Sequence, residues 1–191
     1  MSTSFTELPK DLPIPVDDGA AGHLEGMTFA PIGLRSTDGT MVELGSLPGQ
    51  FVIYVYPMTG RPGVPLPEGW DAIPGARGCT PQSCSFRDYY KELNALGTGV
   101  FGLSAQDTEY QREARDRLHL PFQLLSDSGL QLKSALHLPT FSVQGLELYK
   151  RLTFIIDKGK IEKVFYPVFP PDKNAGEVLA WLTQQAQTRS V

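Results

Sequence analysis

The segment FVIYVY, residues 51–56, is the most informative part of the sequence about the fold. An unbroken run of β-branched and aromatic residues is typical of a strand that is buried on both faces, at the centre of a sheet covered by helices. A loop rich in proline and glycine follows at 57–78, and apolar residues at helical spacing then predict a helix from Cys79 or Thr80 to about Leu96. The rest of the chain can be placed around this strand, loop and helix.

Strands and helices alternate on both sides of this unit. Asp38-Gly39 between two short β-prone pieces predicts a hairpin before it. After it the sequence predicts a strand at 99–105, a charged helix at 108–119 capped by Asp107, a strand at 122–127, a short helix at 128–138, a hairpin at 152–168 and a closing helix at 174–187. This βαβαβ order followed by ββα predicts an α/β fold with a central mixed sheet flanked by helices, the order of a thioredoxin-like domain.

Length and composition limit the classes of protein. The chain has 191 residues, of which 41% are hydrophobic, and this fits one ordinary domain at 26–191 preceded by a polar, extended arm at 1–25. Seventeen Lys and Arg against twenty-one Asp and Glu argue against a nucleic acid partner, which needs clustered positive charge. The longest apolar run is far shorter than the roughly 20 residues that span a bilayer. The first residues resemble no secretory signal, so we expect no membrane partner and a cytoplasmic location.

The two cysteines, Cys79 and Cys84, carry the candidate chemistry. Cys79 lies where the loop meets the predicted helix, next to Arg77. Free backbone N–H groups and the positive end of the helix dipole favour a thiolate there. Cys84 would lie about 140° around the helix and about 7.5 Å along its axis from Cys79. A disulfide between them therefore requires the first turns of the helix to unwind, and the alternative is that Cys84 is a small buried core residue.

Four motifs occur in an order that is specific to one known family. They are Tyr56-Pro57 at the end of the strand, GCTPQSCSFRD at 78–88, LPFQLLSD at 120–127 and RLTFIIDKGKIEKVF at 151–165. With these motifs the chain resembles the peroxiredoxins, and most of all the Q-type (bacterioferritin comigratory protein) subfamily. The resemblance extends over about residues 28–185.

This resemblance implies a function and a set of site residues. The family members are thiol-dependent peroxidases that reduce hydrogen peroxide and organic hydroperoxides without a cofactor or a metal. Cys79 matches the peroxidatic cysteine, Cys84 the resolving cysteine, and Arg151 the arginine that supports the thiolate and the peroxide. The resemblance further implies a sulfenic acid that is resolved by an intramolecular disulfide, recycling by thioredoxin or a similar dithiol protein, and a monomer or homodimer.

Two departures from the family pattern concern the loop before Cys79. The family signature is short, Pro-x-x-x-Thr-x-x-Cys, whereas residues 58–78 separate Pro57 from Cys79 here. The position three before the cysteine, normally a threonine or serine, is Ala76. Thr59 and Thr80 are the candidates to supply the missing hydroxyl if the loop folds back; otherwise a weaker activity or a changed substrate is expected. We expect the insertion at 58–76, with its Trp70, to reshape the mouth of the pocket.

Two other functions remain open from the residues alone. One is a thioredoxin-like metal (copper) chaperone that uses both cysteines and a histidine, although nothing in the spacing of His23, His119 and His137 places them near the cysteines. The other is a non-catalytic thiol redox sensor, which shares the chemistry of Cys79 but turns over very slowly.

Overall fold

The structure is a computed structural model that describes residues 5–189. A seven-stranded mixed sheet has the order β2-β1-β5-β4-β3-β8-β9, and β6 and β7 form a separate hairpin. The strands are β1 Gly33–Ser36, β2 Met41–Glu43, β3 Gln50–Val55, β4 Thr98–Ser104, β5 Gln123–Ser126, β6 Thr140–Val143, β7 Leu146–Tyr149, β8 Leu152–Asp157 and β9 Lys160–Phe165. The helices are α1 Cys79–Asp88, α2 Tyr90–Ala95, α3 Thr108–Arg117, α4 Gln131–Leu136 and α5 Asn174–Arg189.

Strand β3 lies inside the sheet, parallel to β4 and antiparallel to β8. Its residues point alternately to two apolar cores, one on each face of the sheet. Ile53 and Val55 pack with α4 in one core, whereas Val52 and Tyr54 pack with α1, α2 and α5 in the other. The predicted mixed sheet with helices on both faces is therefore confirmed.

The crossover between β3 and β4 carries the first cysteine. Because β3 and β4 are parallel, the chain must return along one face of the sheet between them. It does so as two short helices rather than the single predicted helix, since the backbone leaves helical geometry at Tyr89, where φ is −93° and ψ is 6°. Gly97, with φ of 74°, then follows α2.

The β6–β7 hairpin was not predicted from the sequence. Its turn is Gln144-Gly145, and both residues have positive φ, as a tight two-residue hairpin turn requires. Phe141 on β6 packs against Trp70 of the long loop, with ring centroids 6.0 Å apart. The hairpin thus supports the insertion from one side.

The insertion has a small core of its own. Trp70 begins a 3-10 helix, Trp70–Ala72, and is buried together with Ala76, Val143 and Leu148. The segment before the sheet is also attached to the fold, because Ala21 and Leu24 are buried in the core that contains Ile53. Within residues 5–189, none of the helices has the length and apolar character needed to span a bilayer.

Candidate active site

Cys79 is the first residue of α1 and is almost fully buried, with 3% of its surface exposed. The N-cap residue, Gly78, has no side chain to cap this helix, so the first backbone N–H groups are available to a negative charge at the sulfur. The preceding residue, Gly78, has φ of 107°, and a Cβ there would lie 2.4 Å from Cγ of Pro171. Only glycine fits both the left-handed backbone and this close approach.

Arg151, between β7 and β8, reaches the sulfur across the site. Its Nη2 lies 3.1 Å from Sγ of Cys79, and the arginine is only 3% exposed. Nη2 also donates to the carbonyl oxygens of Ala76, at 3.0 Å, and Arg77, at 3.2 Å, and Nε donates to that of Gly75, at 3.3 Å. The loop carbonyls therefore hold the planar guanidinium with one edge toward the sulfur.

A buried polar network behind Arg151 was missed by the sequence analysis. Nη1 of Arg151 donates to Oε1 of Gln82, whose Nε2 donates in turn to Oδ1 of Asn174 at 3.0 Å. Thr153 donates to the same Asn174 oxygen at 2.7 Å. The available signal was the spacing of Gln82, which lies three residues after Cys79 and so on the same side of the helix. Asn174, at the start of α5, gave no such signal, because only the fold brings it here.

Cys84 lies in the same helix but is held away from Cys79. Both cysteines are free thiols, and α1 is continuous from Cys79 to Asp88. Residues five apart in a continuous helix lie about 7.5 Å apart along its axis, too far for a disulfide. Cys84 is half-buried against the core beneath α1, and this burial raises the pKa of its thiol although Arg87 acts in the opposite direction. The helix must therefore open before Cys84 can reach the other sulfur.

The hydroxyl expected near the sulfur is absent at position 76. Ala76 is fully buried, and its carbonyl oxygen lies 3.6 Å from the Cys79 sulfur and accepts from the protonated thiol. Thr59 does not replace the hydroxyl in this arrangement, because its Oγ1 donates to Oε1 of Gln106 at 3.1 Å. Thr80 does line the small cavity in front of the sulfur. It is therefore the better placed of the two candidates.

The cavity in front of Cys79 has a volume of only about 10 Å³. Its walls come from α1, from the insertion and from the N-terminal arm; they are Phe5, Met58, Gly60, Leu66, Trp70, Arg77, Gly78, Cys79 and Thr80. The insertion thus contributes apolar side chains to the wall of this cavity, among them Trp70, which was expected to reshape the mouth of the pocket. Arg77 adds a second cation to the wall and forms an ion pair with Asp71 at 3.1 Å.

None of the three histidines lines the cavity in front of Cys79. His23 and His137 are neighbours, with ring centroids 6.3 Å apart, and His23 contacts the carbonyl oxygen of Leu136 at 2.8 Å. In the part of the chain that the structure describes, no group of three or more His, Cys, Asp or Glu side chains is placed to hold a metal ion.

Comparison with known proteins identifies the family of this chain. The sequence model of the redoxin family matches residues 24–179. Peroxiredoxin Q, chloroplastic, of Oryza sativa subsp. japonica is 30% identical over 186 residues, which cover 94% of this chain and 78% of the relative. Peroxiredoxin Q, chloroplastic, of Sedum lineare is 31% identical over 160 residues, 83% of this chain and 77% of the relative.

A solved structure shows the same fold. The peroxidoxin BcpB of Mycobacterium tuberculosis is similar with a TM-score of 0.68 and 26% identity, over 85% of this chain and 98% of that protein. This similarity confirms the thioredoxin-like fold that the order of elements predicted. Since the family match and the relatives both extend over most of the sequence, the chain belongs to the redoxin family and, within it, to the peroxiredoxins, most like those of the Q type.

Proposed function

We propose that Cys79 is the peroxidatic cysteine of this thiol peroxidase and that Arg151 assists its reaction. The observation that carries the proposal is the 3.1 Å contact between Nη2 of Arg151 and Sγ of Cys79, in a buried site at the start of a helix. A thiolate held there meets the donors of the guanidinium on one side and the free amides of α1 on the other. The guanidinium and the amides are both held in position before the peroxide reacts.

In the first step the Cys79 thiolate attacks the terminal oxygen of a hydroperoxide. The S–O bond forms as the O–O bond breaks, so that the sulfur is oxidised to sulfenic acid and the peroxide is reduced. The departing oxygen leaves as an alkoxide or hydroxide and takes a proton from solvent. Negative charge develops on this oxygen, and the N–H groups of Arg151 are placed to stabilise it.

In the second step Cys84 resolves the sulfenic acid. The Cys84 thiolate attacks the sulfur of Cys79, an S–S bond forms, and the S–OH oxygen leaves as water after taking up a proton. Because the intact helix separates the two sulfurs, this step needs α1 to open at its first turns. A dithiol protein such as thioredoxin then reduces the disulfide by thiol–disulfide exchange.

Steady-state peroxide consumption with thioredoxin and thioredoxin reductase tests the proposal. The wild-type chain is expected to turn over, Cys79→Ser to lose all activity, and Cys84→Ser to lose recycling by thioredoxin while keeping one turnover. Peroxide-treated wild-type protein should contain an intramolecular bridge between residues 79 and 84 by mass spectrometry. Full activity of Cys79→Ser would overturn the assignment of Cys79. An over-oxidised Cys79 beside a free Cys84 thiol would overturn the role of Cys84.

A further inference from the structure

The N-terminal arm lies against three glycines of the loop that leads to Cys79. A Cβ built on Gly60 would lie 2.4 Å from Cε1 of Phe5, and one built on Gly78 would lie 2.8 Å from Cδ2 of Leu8. Further along the arm, Pro15 lies against Gly75, 3.6 Å from a Cβ built there. Glycine at these positions leaves room for the arm to lie directly on the backbone that flanks the sulfur.

Phe5 lies in the walls of two neighbouring cavities of very different size. The cavity of about 10 Å³ in front of Cys79 shares four wall residues with an open groove of about 520 Å³; these are Phe5, Leu66, Trp70 and Arg77. The rest of the groove is formed by the insertion, mainly by residues 64–72. Cys79 is in the wall of the small cavity, whereas the groove does not reach it.

The cavity in front of Cys79 is too small for an organic peroxide. A cavity of about 10 Å³ holds at most one water molecule. A hydroperoxide has two oxygen atoms and, when organic, an apolar group that needs space beyond them. The groove offers that space, because its volume is about 520 Å³. Leucine, valine, proline and tryptophan side chains in its wall suit an apolar group.

The contacts that hold Phe5 in place could equally be made by another apolar group. The centroid of its ring lies 5.8 Å from Cζ of Arg77, and Arg77 also forms an ion pair with Asp71. Since residues 5–25 of the arm form no strand or helix, the ring of Phe5 can leave without breaking one. Another apolar group can then occupy the same place between Gly60 and Arg77.

We propose that Phe5 is a gate that determines the peroxide specificity of Cys79 by size. With the ring in place, the sulfur is open only to the smallest molecules. When the ring moves aside, the small cavity and the groove of the insertion become one site for a hydroperoxide that carries an apolar organic group. The inference rests on the proposed function and adds to it a residue outside the family motifs and a role for the insertion.

A second cavity beside Arg151 does not offer another route. It has a volume of about 310 Å³ and lies between the arm, Phe141 and the segment 166–168. Arg151 is in its wall, but Cys79 is not. This cavity therefore does not border the sulfur, whereas the small cavity that Phe5 lines does.

The first test compares two peroxides on Phe5→Ala. Stopped-flow measurement should give the second-order rate constants for oxidation of Cys79 by cumene hydroperoxide and by hydrogen peroxide. The ratio of the two constants is expected to rise roughly tenfold in Phe5→Ala, the change that follows from a barrier lowered by about 1.4 kcal/mol. Leu12→Ala is the matched control, since Leu12 is an apolar residue of the same arm and lines neither the two cavities that Phe5 borders nor the cavity beside Arg151. Its ratio should equal that of the wild type.

A second variant displaces the ring from the other side. Gly60→Ala places a methyl group where the Phe5 ring lies, while the backbone of Gly60 does not have positive φ and so accepts alanine. This variant should raise the ratio as Phe5→Ala does. The double variant should add nothing to Phe5→Ala, because both changes act through the same ring.

A measurement without peroxide separates failure of the gate from failure of the proposed function. In a Cys84→Ser background, Cys79 is the single thiol, and its alkylation by iodoacetamide can be compared with alkylation by a bulky N-aryl maleimide. Phe5→Ala should speed the bulky reagent several-fold more than the small one. Equal acceleration of both reagents, or of neither, would overturn the gate whether or not the chain reduces peroxides. An accelerated bulky reagent without any peroxide reaction would support the gate and overturn the proposed function.

Discussion

The guanidinium of Arg151 has a close partner on every nitrogen, and one of these partners is the Cys79 sulfur. A charged group with 3% exposure would be costly without such partners. The carbonyls of the loop and the amide of Gln82 offset this cost and also fix the direction in which the N–H groups point. At the scale of the residue, reactivity therefore depends on the planar shape of the arginine as well as on its charge.

Arg151→Lys tests this point because it keeps the charge and removes the fork of donors. The second-order rate constant for oxidation of Cys79 by hydrogen peroxide should fall about 100-fold, the loss typical of removing a fixed transition-state donor. Stopped-flow fluorescence measures the constant. Arg112→Lys is the control, since Arg112 donates to the carbonyl oxygen of Thr37 at 3.1 Å and has no contact with the site. An unchanged constant in Arg151→Lys would show that charge alone suffices.

At the scale of the element, the sequence predicted what local patterns encode. The buried strand at 51–56, the cap by Asp107 and the hairpin around Lys158-Gly159 all follow from short-range periodicity and turn chemistry, and the structure has each of them. Cys79 at the start of α1 was predicted in the same way. The break at Tyr89 and the contacts of Asn174 were not, because they depend on packing between segments that are distant in the sequence.

Helix α1 is tied to the sheet by a hydrogen bond from Tyr54 to Ser83, 3.0 Å long and buried. If resolution requires α1 to open, weakening this tie should speed disulfide formation. Ser83→Ala removes a bond with a net contribution of about 1 kcal/mol and should accelerate the step about fivefold. Rapid acid quenching followed by counting of free thiols measures the step.

Tyr54→Phe removes the same bond from the side of the sheet and should act in the same direction. In both variants the rate of sulfenic acid formation at Cys79 should stay close to that of the wild type. Slower disulfide formation in both would mean that the intact helix, and not its opening, supports resolution.

The resolving step should also depend on pH. Burial raises the pKa of the Cys84 thiol in the folded helix, so the folded form favours the protonated thiol. Above about pH 8 an exposed cysteine begins to ionise, and the open form of the helix is therefore stabilised relative to the closed form. Disulfide formation should accelerate as the pH rises through this range, in a pH-jump experiment on protein carrying the sulfenic acid. A rate that is constant or falls across the range would contradict the opening of α1.

At the scale of the whole molecule, three parts meet at one sulfur. The sheet and α1 place Cys79, the insertion supplies an apolar wall with Trp70, and the arm covers the mouth with Phe5. The sequence showed the insertion as a loop and the arm as polar chain without a core. Their contacts could not be predicted, because the arm packs on glycines, which carry no hydrophobic pattern, and the insertion packs on a hairpin far along the chain.

The small core of the insertion should be separable from the main cores. Trp70→Ala removes a side chain that is 3% exposed and should lower the local stability of the insertion by about 3 kcal/mol. Amide hydrogen exchange should accelerate in residues 58–76 while β3 and β8 stay protected. Trp181→Ala is the matched control, because Trp181 packs in the main core beneath α1 and α5 and not in the core of the insertion. Uniform acceleration across the sheet in Trp70→Ala would show that the insertion is part of the main folding unit.

Trapping the oxidised sulfur tests whether Cys79 is the residue that reacts with peroxide. Reduced protein is treated with one equivalent of hydrogen peroxide in the presence of dimedone, which labels sulfenic acids, and the label is located by mass spectrometry. We expect a label on Cys79 in Cys84→Ser, and in Cys79→Ser neither a label nor loss of peroxide. A label on Cys84, or peroxide consumed at the wild-type rate by Cys79→Ser, would contradict this expectation.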